Sequence, residues 1–453
     1  MGRPSRRPRL ARPAALAPSA VALAFAVALT VGLALALAVA APAQAGWQAP
    51  FRVAGPYALD VQPMQTAFAA GGQTALGFNV FNEDRSLSSQ GYAAISGKNG
   101  RPGAPVRVPD TQEVLDLAFD GTNLDLLIGT SPALRPCCSS ARLVKVAGGK
   151  PQRPRLIFPR LTGATVGQLI ALPGNRLLSS VATAQAVWTE LTGDKGRPAP
   201  ARLLTPKTAA PQTLGATVLR GNHTVLAWTA AAGPPAPSTV GPAGIMVADG
   251  TATSAPRRAH LAVKVGTGHQ VDELAIGRGS PQGTVAWIES WNDSAGLLHS
   301  EPVVADLGGR VHARTFELPR LIASGLSFAT DAGGAQVLAW KACDLAGSCR
   351  VETVFKDAGG RFSDPLSLGR IDPAATPAAA VSSKGVGLVG WISGGRVLAA
   401  ARGRRARRFA PTRVVSATTS AMDLTLGFGP SGALAGWSEG TFTETVMGAL
   451  FKP

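Results

Sequence analysis

Three aspartates stand at the entry to short apolar runs far apart in the chain: Asp116 in "VLDLAF", Asp272 in "VDELAI" and Asp423 in "MDLTLGF". Carboxylates that converge from distant segments hold a cation or a basic ligand, or share general acid–base work. Aspartate at the start of a strand also has a plainer use, accepting hydrogen bonds from turn N–H groups. Trp291 follows Trp287 by one short step and falls outside the tryptophan repeat described below, which makes its ring a candidate ligand surface. The run "ARGRRARRF" at 401–409 carries Arg404, Arg405, Arg407 and Arg408, a polyanion site or a solvated turn. The histidines, His223, His260, His269, His299 and His312, never stand at paired ligand spacing with cysteine. Neither a metal site nor a cofactor is therefore expected.

The elements that position these residues repeat. A small residue followed by tryptophan closes a short apolar run at Trp228, Trp287, Trp340, Trp391 and Trp437, at intervals of 46 to 59 residues. A Gly-containing turn precedes each run, and another apolar run precedes the turn, so each copy predicts a β-hairpin. Weaker copies end at Phe78 and centre on Leu127 and Ser180. With 53 glycines, 35 prolines and no long 3.6-residue periodicity, helices are excluded as the main element. Neighbours on a strand point to opposite faces. The small residues Ala227, Ala286, Ala339, Gly390 and Gly436 should let an adjacent sheet approach, while the tryptophans fill the wedge between sheets.

Two further strands follow each hairpin, and in five units the last begins with proline: "PVRV" at Pro105, "PRLI" at Pro154, "PARL" at Pro200, "PLSL" at Pro365 and "PTRV" at Pro411. The units after Trp228 and Trp287 are less regular, and the latter has no such proline. Proline cannot donate to a ladder and belongs on an edge. "PFRV" at Pro50–Val53 is one more copy, standing alone near the start, and the last unit stops one strand short at "TVMGALFKP". The N-terminal strand should complete the C-terminal sheet. Such a ring is an all-β, eight-bladed β-propeller of four-stranded antiparallel sheets.

On these motifs the chain resembles secreted bacterial β-propeller proteins of the loosely sialidase-like kind, over Gly46 to Pro453. The resemblance implies ligands at the channel mouth, on the face bearing the loops between second and third strands. It does not extend to sialidase chemistry, which needs a late-blade tyrosine nucleophile and Asp boxes. Tyr57 and Tyr92 are both early, and "SFATDAGGAQVLAW" matches an Asp box only in passing. Cys137-Cys138 is similar to the adjacent-cysteine disulfide of some eight-bladed quinoprotein dehydrogenases, but the tryptophan-docking motifs of that family are absent.

Arg3, Arg6, Arg7, Arg9 and Arg12, an uncharged Ala/Leu/Val run and "AQA" at Ala43–Ala45 predict a signal peptide over 1–45 and a single domain over 46–453. An uncleaved anchor is the alternative. The chain carries a net charge of +17, and removal of those five arginines leaves +12, a balance that favours anionic surfaces. Export makes disulfides the expected state of the four cysteines. Cys343 and Cys349 flank a short hairpin loop and should pair. Cys137 and Cys138 are then either an adjacent-residue bridge or two thiols. The expectation is a secreted, surface-held or periplasmic monomer that binds or scaffolds without catalysis, recognising a polymer or protein ligand at its channel-mouth face. Its ligand would be an anionic polymer, a glycan or a cell-surface protein, with no specific nucleic acid and no membrane span after cleavage. The alternative is a carbohydrate-active hydrolase or lyase using channel-mouth carboxylates.

Overall fold

Each tryptophan of the repeat lies on the second strand of an antiparallel meander. We analysed a computed structural model that describes residues 46–58, 60–81, 89–97, 100–130, 139–161, 166–183, 186–193, 200–205, 213–219, 222–231, 243–277, 283–307 and 313–453. The loops expected to carry Cys137 and Cys138, and most of those at 82–90 and 230–244, lie outside these residues. One meander illustrates the rest: Ile322–Thr330, Gln336–Cys343, Cys349–Lys356 and Leu366–Arg370, each strand pairing with the next.

Alternation along the second strand explains why its apolar run is continuous. Leu338, Trp340 and Ala342 pack with Ala286, Ile288 and Phe316 of the preceding meander. Val337 and Ala339 point the other way and pack with Val389 and Trp391 of the following one. Both faces of the sheet are buried, so polar residues have no place in the run. The small residue before each tryptophan receives the next tryptophan along: Ala227 clusters with Trp287, Ala286 with Trp340, Ala339 with Trp391. At Gly436 a Cβ would stand 2.8 Å from Leu76 of the first meander, and at Gly77 it would stand 2.5 Å from Leu117. All five repeat tryptophans are fully buried, and Phe78, Leu127 and Ser180 are buried in the weaker copies.

The innermost strands touch in a closed cycle. In order they are Asp60–Phe68, Glu113–Asp120, Val166–Leu172, Leu214–Val218, Gln270–Ile276, Ile322–Thr330, Ala378–Val381 and Ala421–Gly429, and the last touches the first. The meanders over 270–315 and 322–370 are joined into one hydrogen-bonded sheet by a single parallel pairing, Ser300 with Ile322. This ring of four-stranded antiparallel sheets is a β-propeller, and Gly46–Pro453 forms one unit.

Closure follows the expected route. The final strand, Glu444–Lys452, pairs on its outer side with both Gly46–Trp47 and Phe51–Tyr57. Phe51 faces Gly448 and Arg52 faces Met447. Proline marks the outer edges as read: Pro105 lies within Pro102–Arg107, and Pro154, Pro200, Pro365 and Pro411 stand one or two residues ahead of theirs.

Candidate functional site

The ring sorts side chains to its two ends and its channel. The three aspartates lie within innermost strands, not ahead of them. Each sits where the ladder slips: between Val114 and Asp116, between Val271 and Glu273, and between Met422 and Thr425. A β-bulge re-aims a side chain, and a sequence does not display a slip in register.

Their surroundings differ. Asp116 is buried, and its two oxygens accept the N–H groups of Leu117 at 2.8 Å and Leu169 at 2.7 Å, the latter on the next innermost strand. Asp272 is exposed. Its neighbour Glu273 makes the inter-strand tie instead, accepting from Gly325 N at 2.7 Å and Leu326 N at 2.6 Å. Asp423 adopts a left-handed φ of 50° and sits near Asp60. Burial, reinforced by the Asp60 charge, pushes its carboxyl up to about 6. Glu444 is also raised, first by burial and then by Asp60 and Asp423, although it accepts Val61 N at 2.8 Å. Asp423, Asp60 and Glu444 thus form an acidic seam where first and last meanders meet. Among the described residues, no three His, Cys, Asp or Glu side chains are placed to hold a metal ion. The channel encloses about 600 Å³ between Phe68, Phe119, Phe328 and Phe428.

Trp291 is the penultimate residue of the strand Thr284–Asn292, and two imidazoles stack on its ring. His269 stacks at 4.7 Å and 5° on one side, and His299 at 5.2 Å and 10° on the other. His269 Nδ1 lies 2.6 Å from Glu289, and His299 Nε2 lies 3.0 Å from Asp293. A sugar ring stacking on the indole would first have to displace an imidazole. In the sequence His269 and His299 stand far from each other and show no link to Trp291. The signal was the register of the hairpin, which sets Trp291 opposite His299.

The basic run occupies the opposite end, in the turn between Arg396–Arg402 and Arg413–Val414. Arg404, Arg405, Arg407 and Arg408 are all exposed. The turn is held at its base. Arg402 is 3% exposed, and its two terminal nitrogens each lie 2.9 Å from an oxygen of Asp357 on the neighbouring meander. Its guanidinium lies 3.6 Å over the Phe355 ring. The Arg402 hydrogen bonds hold the Asp357 carboxyl below the usual range, with a further bond from the Arg405 backbone. Ala410 N donates to Ala401 O at 2.7 Å, and Phe409 packs edge-on to Phe355. Four guanidinium groups are therefore presented on a preformed loop, an arrangement suited to phosphate, sulfate or carboxylate groups.

At the first end, Cys343 and Cys349 form the expected disulfide. Their Cα atoms are 4.1 Å apart, slightly inside the usual span of about 4.4–6.8 Å, because the two residues face each other across the ladder. Among the described residues no helix is long and apolar enough to cross a membrane.

No protein-family model matches the chain, and no curated protein matches it. Solved structures share its fold. The Dos1 propeller is 12% identical, with a TM-score of 0.52 over 90% of this chain and 95% of that one. The WD40 domain of SCAP from fission yeast is 10% identical, with a TM-score of 0.45 over 90% of this chain and 98% of that one. An ulvan lyase solved with its sugar is 10% identical, with a TM-score of 0.46 over 88% of this chain and 94% of that one. At such identities the likeness is one of fold.

Proposed function

We propose that the chain is an exported, non-catalytic binding propeller of eight blades that holds an anionic polymer against its basic end. The observation that carries this reading is the exposed quartet Arg404, Arg405, Arg407 and Arg408 on a loop fixed by Arg402 and Asp357. Because the loop backbone is already held, binding has to order only the arginine side chains, which limits the cost set against their attraction for anionic groups. The overall positive charge adds long-range attraction. The closed cycle of innermost strands supports the count of blades, and the Cys343–Cys349 bridge fits an oxidising compartment. Sedimentation with insoluble anionic and neutral polysaccharides tests the reading. The anionic polymer should carry the protein down at low salt; equal recovery with the neutral one would refute it.

A second reading rests on the acidic seam. A carboxyl raised to about 6 beside other carboxyls is an arrangement used for proton transfer to sugars. Asp423 as the acid and Asp60 or Glu444 as the base would make the chain a carbohydrate-active hydrolase or lyase. Turnover of chromogenic glycosides or of uronate polymers, lost in Asp423→Asn, would favour this reading over the first.

A further inference from the structure

Beside the basic loop, at the same end of the ring, lies a cavity of about 270 Å³ whose walls include Thr284, Asp306, Arg314, Lys356, Arg361 and Phe362. It falls between two meanders, where the third strands Leu298–Asp306 and Cys349–Lys356 end. Its walls are fixed. Lys356 and Phe362 pair across the turn between them, and Gly360 N donates to Asp357 O at 2.8 Å within that turn. Arg314 donates to the carbonyl of Phe362 at 2.8 Å and to that of Ser363 at 3.4 Å, while its guanidinium lies over Phe316.

Among the described residues, three cationic side chains at the cavity, Arg314, Lys356 and Arg361, are answered by two carboxylates, Asp306 and Asp364. A guanidinium has five N–H donors; the two carbonyls, and Asp364 at 3.9 Å from one terminal nitrogen, leave others for the cavity. The Lys356 ammonium is 3.9 Å from Asp306, at the limit of an ion pair, and its side chain is 15% exposed. The other Asp306 oxygen accepts the Thr284 hydroxyl at 2.5 Å. Arg361 is exposed at the rim.

We infer that this cavity binds one sugar residue bearing a carboxylate or sulfate, the unit by which an anionic glycan is recognised along the basic end. The inference rests on the polymer-binding reading above. The volume lies below the range of roughly 300–1,000 Å³ typical of drug-sized ligands, which suits one residue of a chain. Arg314, Lys356 and Arg361 supply charge-assisted hydrogen bonds to the oxyanion. Asp306, held by the Thr284 hydroxyl, answers sugar hydroxyls, and Phe362 gives an apolar wall for ring C–H groups. One turn joins cavity and loop: Asp357 at its start holds Arg402, and Arg361 and Phe362 at its end line the cavity. Phe362 and Phe409 are both packed against other rings. Among the described residues the strip offers one small apolar wall inside the cavity and no succession of open rings for stacked bases, which favours a glycan over a nucleic acid.

Isothermal titration with glucuronate, glucosamine N-sulfate and glucose tests the assignment. The two charged sugars should bind one competitive site and glucose should not. Lys356→Met, which keeps the aliphatic stem, should weaken both by roughly tenfold, and Arg361→Ser should do the same. A variant with Arg404, Arg405, Arg407 and Arg408 all changed to serine should still bind the single sugars. Polymer sedimentation without binding of either charged sugar would overturn this inference and leave the broader reading standing. Charged-sugar binding without polymer sedimentation would overturn the polymer-binding reading and leave the cavity as a site for single charged sugars only. Unchanged affinity in Lys356→Met, or equal binding of glucose, would also overturn the site.

Discussion

Arg402 and Asp357 meet fork to fork, with both nitrogen–oxygen distances at 2.9 Å, although 45 residues separate them in the chain. The guanidinium is nearly enclosed, whereas the carboxylate keeps 39% of its side-chain surface. One residue closes the third strand of its meander, and the other opens the corresponding turn of the meander before it. The pair thus locks adjacent turns together and sets the posture of the basic loop.

Asp357→Asn should leave a buried guanidinium without a counter-charge and lower stability by about 2–3 kcal/mol. Replacing both partners, as Arg402→Met with Asp357→Asn, should recover part of that loss because no charge remains buried. Urea unfolding midpoints of the single and double variants check this. A double variant as unstable as the sum of the two singles would mean that the residues act independently.

Deleting residues 46–57 removes the outer strand of the last sheet and the buried side chains Phe51, Val53 and Ala54. Stability should fall by several kcal/mol, from lost ladder bonds and lost apolar burial. Calorimetry of the truncated chain checks this, and an unchanged melting temperature would contradict closure by the N-terminal strand.

Stability should also fall as pH rises from about 4 to 7. Asp125 is fully buried 3.7 Å from the Lys145 ammonium, and burial pushes its carboxyl up to about 7 despite that neighbour. Asp423 rises to about 6 for the reasons given above. In this window the folded chain retains protons that the unfolded chain has released, so rising pH favours unfolding. Asp125→Asn should flatten the decline and raise the melting temperature at pH values above about 7. A variant whose melting temperature declines with pH as steeply as that of the parent would remove Asp125 from the account.

The sequence carried the ring more fully than the sites. Small-residue–tryptophan pairs such as Ala339-Trp340 are legible because both faces of a buried strand write themselves into adjacent letters. The edge prolines are legible because a missing N–H has few tolerable places. Asp116 and Asp423 were found as residues, but their ladder slips were not, since a bulge is a relation between two strands. The His269–Trp291–His299 stack and the Arg402–Asp357 pair were hidden for the same reason: each joins segments that become neighbours only after the sheets assemble. Arg402 read as one more arginine in a basic run, yet it is the buried one that positions the rest.

The central claim, that a fixed arginine loop holds an anionic polymer, is tested most directly on a heparin column. The full chain and the variant with Arg404, Arg405, Arg407 and Arg408 all changed to serine should have the same melting temperature, because all four side chains are exposed. The full chain should elute at distinctly higher salt, and its affinity advantage, measured at equilibrium, should shrink as salt rises and screens the charges. Elution of the two proteins at the same salt concentration would contradict the account.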